Sequence, residues 1–141
     1  MVGVKGYDAR ILEALTRHKV WIISKTSNAN TITHYLKGSM QAIKRVETDL
    51  AEAFPTATTT LRKLAMVSAI GRDLAGARTL PRAIAALDAA GIEPIGITDM
   101  VRKVDLQVMV AEDDFEATII ALHQGLVETR DATPVAIRKA A

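Results

Sequence analysis

Ala14-Leu15, Val20 and Ile23 recur as Ala86-Leu87, Ile92 and Ile95, each 72 positions further on. Met40 and Ala42 recur as Phe115 and Ala117 at a slightly larger step, as an intervening hairpin of altered length would require. A chain that repeats itself pairs copies of one supersecondary unit rather than growing a single undivided core. With 141 residues in all, each copy has room for one small domain. The expected division is 1–63 for the first copy and 64–128 for the second. A tail, 129–141, adds a last short strand over 133–138.

The first copy is clearest at 22–36, IISKTSNANTITHYL. Two runs of period-two patterning flank the polar turn Ser27-Asn28-Ala29-Asn30, which is a hairpin signal. A helical stripe of Tyr7, Ile11, Leu12 and Leu15 precedes the hairpin. A second stripe, Met40, Ile43, Val46, Leu50 and Phe54, follows it; Ser39 is the expected N-cap and Pro55 the stop. Residues 56–61 and 64–70 read as strands.

After Gly71 the pattern starts again. A loop leads to Thr79, an expected N-cap, and to Pro81 in the first helical turn. Leu80, Ile84 and Leu87 form the stripe, and Gly91 stops the helix at C′. Residues 92–97 read as a strand, and 104–110 alternate as a half-buried one. Glu112-Asp113-Asp114 favour a helix start, with Phe115, Ile119, Leu122 and Leu126 turned inward. Helix, hairpin, helix is the middle of a split βαββαβ unit. The expected fold class is therefore α+β: two ferredoxin-like βαββαβ repeats, antiparallel sheets with helices on one face. The first strand of the first repeat is reduced to residues 1–4. That leaves a gap beside the hairpin for the tail strand, a symmetry mate or a segment from elsewhere to fill.

Composition narrows function by exclusion. Apolar residues make up 49% and charged ones 24%, a globular balance. The net charge is +2, and the cations are spread along a chain with two Tyr, two Phe and one Trp. No basic stacking face for nucleic acid follows from that. There is no cysteine, hence no disulfide, thiol nucleophile or thiolate metal site, which fits a reducing cytosol. No apolar run of membrane-spanning length appears, so no membrane partner and a cytoplasmic location are expected.

His18, His34 and His123 sit in separate elements without metal-ligand spacing and read as helix-end or surface histidines. Gly3-Val4-Lys5-Gly6 lacks the pattern of a phosphate loop, and no nucleophile elbow or kinase signature is present. Adjacent Asp113 and Asp114 read as a helix start. No catalytic residue, metal site or cofactor is expected in the chain.

One geometry does recur. A strand runs through a glycine loop into a helix N-terminus at 3–8 and again at 71–81. Free backbone N–H groups and the positive dipole end suit a carboxylate there. An acid nearby, such as Asp73 in the second copy, suits an ammonium group, and the two together describe an amino acid. The other reading is that these are ordinary loops.

These features resemble a known family. Tandem βαββαβ repeats with helix–Gly–Ile–strand joints resemble the paired ACT domains at the C-terminal end of aspartate kinases. Residues 2–8, VGVKGYD, together with SKTSNANTITHYL are similar to the first regulatory repeat, especially in the type associated with ectoine-producing bacteria. LAMVSAIGRDL, AALDAAGIEPIGI and VDLQVMV look like the second.

The resemblance implies an enzyme that phosphorylates the β-carboxyl of aspartate with MgATP, at the entry to lysine, threonine, methionine and ectoine synthesis. Its kinase domain lies N-terminal to the ACT pair and none of it is here. MgATP would belong to that domain, and the present chain would be a regulatory piece or a separate regulatory subunit. The implied partners are an amino-acid effector (lysine or threonine), a second copy of the chain through its ACT domains, and the kinase domain.

Effector positions carried over from the family are Val4, Gly6, Tyr7 and Ser27 in the first repeat. In the second they are Arg72, Asp73, Glu93, Pro94, Ile95 and Thr98. The family's asparagine in a Gly-Ile-Asn-Ile step is replaced by Trp21 and Glu93. An indole cannot reproduce that amide, and a glutamate repels a ligand carboxylate, so altered feedback is implied. Two alternatives stand beside this reading: a ligand-free dimerisation module, and a free-standing ACT regulator of another amino-acid enzyme.

Overall fold

The computed structural model describes residues 6–28, 30–72, 74, 76–99 and 101–128. The strands expected over 1–4 and 133–138 lie outside the described residues. The chain divides into two compact units, Met1–Leu61 and Arg62–Ala141.

The first unit runs α1 (Tyr7–Arg17), β1 (Trp21–Ser27), β2 (Ile32–Lys37) and α2 (Met40–Ala53). β1 and β2 form an antiparallel hairpin from Trp21 opposite Lys37 to Ser27 opposite Ile32. A bulge between Ile22 and Ser24 leaves Ile23 as the extra residue. Asn28 shapes the turn: its side-chain oxygen accepts the N–H groups of Asn30 and Thr31, each at 2.9 Å. Ser39 caps α2 as expected, its hydroxyl accepting the Ala42 N–H at 3.2 Å.

Ile11, Ala14 and Leu15 of α1, Val20 and Val46 form the buried centre of this unit, with Leu36, Ile43 and Leu50 packed on it. Leu12 and Met40, expected inside, are exposed. The Thr-rich stretch 56–61 is not a strand. A strand persists by pairing with a neighbour, and among the described residues the first sheet contains β1 and β2 alone.

The second unit runs β3 (Ala65–Ile70), α3 (Thr79–Ala89), β4 (Gly96–Asp99), β5 (Asp105–Val110) and α4 (Phe115–His123). A 3₁₀ turn, Glu112–Asp114, leads into α4, and a π-helical turn, Gln124–Glu128, extends it. β5 lies between β3 and β4 and is antiparallel to both, the layout of a split βαβ unit. Leu106, Val108 and Val110 of β5 meet Ala83 and Leu87 of α3 and Ala121 and Leu122 of α4 in the core.

Three expectations for this unit are corrected. The strand placed at 92–97 begins only at Gly96. The Ile92 N–H is taken by the Leu87 carbonyl at 2.9 Å, and Pro94 has no N–H to give. Thr79 is not the N-cap but the first helical residue; its hydroxyl donates to the Leu74 carbonyl at 2.9 Å, and Arg78 stands at the cap. Finally, both helices are rotated from the expected faces. Ile84, Phe115 and Ile119 are exposed, whereas Ala83, Thr118 and Ala121 are buried.

The cause of the rotation is close approach. A Cβ built on Gly125 would lie 2.5 Å from the Ala86 Cβ, so α3 and the extended α4 touch through their smallest residues. The larger apolar side chains are displaced to the flanks.

Candidate functional site

α1 and α3 are each 11 residues long and start 72 positions apart. Each is entered through a left-handed residue, Gly6 (φ 82°) and Arg78 (φ 49°), and neither has a side-chain cap. The first-turn N–H groups of a helix have no intrahelical partner, so both termini favour an anionic group. They are not equivalent. Pro81 in the first turn of α3 contributes no N–H, while Tyr7, Asp8 and Ala9 all carry one.

The first unit also gathers charge at this place. Lys25 on β1 forms an ion pair with Asp8 in the first turn of α1. His34 lies directly across the ladder from Lys25. It shares a face with Ile32 and Leu36, which pack on the core. Its Nε2 is buried without a hydrogen-bond partner, as is Asp8 Oδ1. Burial, and then the Lys25 cation, hold the His34 pKa below its ordinary 6.5, with Asp8 opposing. This half-buried strand histidine differs from the helix-end or surface position expected of it. The signal was in the sequence: His34 occupies an apolar slot of the Ile32-His34-Leu36 alternation.

The other histidines are placed as expected. His18 caps α1 at its C-terminus, and its Nε2 meets Asp49 Oδ2 of α2 at 2.9 Å. Arg17 donates to the same oxygen at 2.9 Å. The His18 hydrogen bond lowers the Asp49 pKa most; desolvation opposes it, and the charges of His18 and Arg17 add to the lowering. His123 ends α4 and meets Glu128 at 3.0 Å. Among the described residues no group of three or more His, Asp or Glu could hold a metal ion, and no helix is long and apolar enough to cross a membrane.

Of the carried-over effector positions, Gly6 and Tyr7 lie at the α1 N-terminus, where Tyr7 stacks on Phe54 with ring centroids 3.8 Å apart. Ser27 closes the hairpin end of β1. Val4 and Asp73 lie outside the described residues. Arg72 is exposed after β3. Glu93 and Pro94 line a groove of about 350 Å3 at the C-terminal end of α3. Ile95 donates its N–H to the Met109 carbonyl at 2.7 Å. Thr98 sits in β4 opposite Gln107, its hydroxyl buried without a partner. Tyr7 and His34 border a second space, a cavity of about 590 Å3 between the hairpin and the two helices of the first unit.

A helix–hairpin–helix unit followed by a split βαβ unit defines a pair of ACT-like, ferredoxin-type regulatory repeats. Over 128 residues, 91% of its length, the chain is 41% identical to aspartate kinase Ask_Ect of Stutzerimonas stutzeri (strain A1501), and it is a homologue of that aspartate kinase. It spans 27% of the length of that relative.

Solved structures agree on the fold. The regulatory subunit of aspartate kinase from Thermus flavus superposes with a TM-score of 0.71 at 20% identity, over 89% of this chain and 86% of that one. The aspartate kinase of Clostridium acetobutylicum, described as an allosteric enzyme, gives 0.76 at 16% identity, over 88% of this chain and 30% of that one. No family model matches the chain.

Proposed function

We propose that the chain is the regulatory portion of an aspartate kinase: it binds an amino-acid effector, pairs with a second copy, and transmits occupancy to a kinase domain. Homology to an aspartate kinase over 91% of the chain, on the fold of a regulatory subunit, is the observation that carries this reading. The chain itself contributes no phosphoryl-transfer motif. The uncapped α1 N-terminus, with Lys25 and Asp8 beside it, supports recognition of a carboxylate and an ammonium group in the first repeat. The exposed edge strand β1, carrying Trp21, Ile22 and Ile23, supports pairing between copies. Coupling of the two functions would amount to about 1–3 kcal/mol.

Trp21 and Glu93 take the place of family amides, so lysine and threonine are the first effectors to test rather than the last. A thermal-shift panel of the proteinogenic amino acids makes the test. One of them should raise the melting temperature in proportion to the logarithm of its concentration. No shift from any amino acid, with a stable dimer by sedimentation, would replace the sensor with a ligand-free dimerisation module. Asp73→Ala should weaken effector affinity; an unchanged calorimetric affinity would remove Asp73 from the site.

A further inference from the structure

The second unit shows what the first one lacks. β5 is flanked on both sides, by β3 and by β4. Its counterpart β2, also six residues long, is flanked by β1 alone among the described residues. The vacant side of β2 borders the cavity of about 590 Å3, whose opposite rim is the unpaired stretch 56–61. The floor is apolar, made by Ile11 and Leu15 of α1 and Val46 and Leu50 of α2. Two extended rims with an apolar floor form a slot one strand wide, since adjacent strands lie about 4.8 Å apart.

The second unit also specifies the occupant. β3 pairs antiparallel with β5 over six residues, from Ala65 opposite Val110 to Ile70 opposite Asp105. Its core-facing residues are small, Ala65, Val67 and Ala69. The 72-residue step that carries α3 onto α1 carries Ala65–Ile70 to positions before residue 1.

We propose that the first unit is a strand acceptor. The slot takes a six-residue extended segment, antiparallel to β2, with small apolar residues at alternate positions. Its source is the longer aspartate kinase polypeptide, an assignment that rests on the proposed function. Main-chain bonds to β2 provide affinity and the shallow apolar floor selects small side chains. The segment ends at Gly6 and Tyr7, so seating it also orders the entry to α1.

The test is hydrogen exchange on the 141-residue chain with a synthetic peptide, Lys-Lys-Ala-Met-Val-Ser-Ala-Ile-Lys-Lys, built on β3. The peptide should slow exchange at 32–37 and 56–61 at least tenfold and saturably. A peptide with Lys at the two Ala positions and the Val position should not. Thr58→Pro with Thr60→Pro, which removes donors from one rim, should weaken the effect while circular dichroism stays unchanged.

Three results would overturn the proposal: no protection, equal protection by both peptides, or slot amides already protected in a concentration-dependent dimer. The last would assign the slot to a second copy. Protection by an amino acid without peptide would assign it to a small ligand. Failure here leaves the thermal-shift result standing, and failure of the thermal shift leaves peptide binding standing, so the two readings fall separately.

Discussion

Lys19 and Gly91 hold the same backbone position 72 residues apart, both left-handed, at φ 55° and 69°. Each stands at C′ of its helix. The Val20 N–H reaches the Leu15 carbonyl at 2.9 Å as the Ile92 N–H reaches Leu87 at 2.9 Å, and the Lys19 and Gly91 N–H groups bond to Thr16 and Asp88. This is one Schellman motif written twice, once with the residue suited to it and once without. Lysine in the left-handed region costs about 1–2 kcal/mol, while glycine loses about 0.4–1 kcal/mol more in the unfolded chain. Lys19→Gly should therefore stabilise the first unit by about 0.5–1 kcal/mol, and Gly91→Ala should destabilise the second by a similar amount. Urea unfolding followed unit by unit through amide exchange checks both signs.

The α3–α4 contact should tolerate no added methyl. Gly125→Ala places a Cβ 2.5 Å from Ala86, against a helix rather than against a flexible side-chain end. Arg82, whose guanidinium bonds the carbonyls of Gly125 and Leu126 at 2.8 and 3.1 Å, resists the required shift. A loss of about 1–3 kcal/mol in the second unit is expected, as for other overpacked contacts. Combining it with Ala86→Gly should restore much of that loss in a double-mutant cycle.

Asp49 and His34 set two separate acid responses. Asp49 is held below the usual carboxylate range, chiefly by His18. Its contribution is full above the unfolded carboxylate pKa and fades as pH falls through the folded one. Asp49→Asn should flatten the stability profile below about pH 4.

For His34 the neutral form is favoured by folding, because its pKa lies below 6.5. Between the folded and unfolded values the unfolded chain binds more protons, so stability is full above 6.5 and falls as pH drops beneath it. His34→Gln should remove the loss that begins near 6.5 and leave the Asp49 response in place. Melting temperatures between pH 3 and pH 8 separate the two.

Much of this architecture was legible in the residues. The 72-residue step, the Asn28 turn, the Ser39 cap and the Gly91 stop each have a local cause that the sequence states directly. Lys19 has none: nothing about a lysine announces a left-handed C′. The helix faces of the second unit were misread for a related reason. Periodicity weights large apolar residues such as Ile84, Phe115 and Ile119, but close helix contact selects Ala83, Ala86, Thr118 and Gly125. The strand expected at 56–61 failed because its alternation could not supply a partner. As for the site, the α1 entrance was found from its glycine loop. The Asp8–Lys25–His34 group was missed because its members are 26 residues apart at the extremes and meet only once the hairpin folds.

The account stands most directly on calorimetric titration of the 141-residue chain with amino acids, lysine and threonine first. It predicts saturable heat from one of them, at a fixed stoichiometry per chain, lost when Lys25 is replaced by Ala. Heat indistinguishable from dilution for every amino acid, in a preparation whose amide exchange shows both units folded, would contradict it.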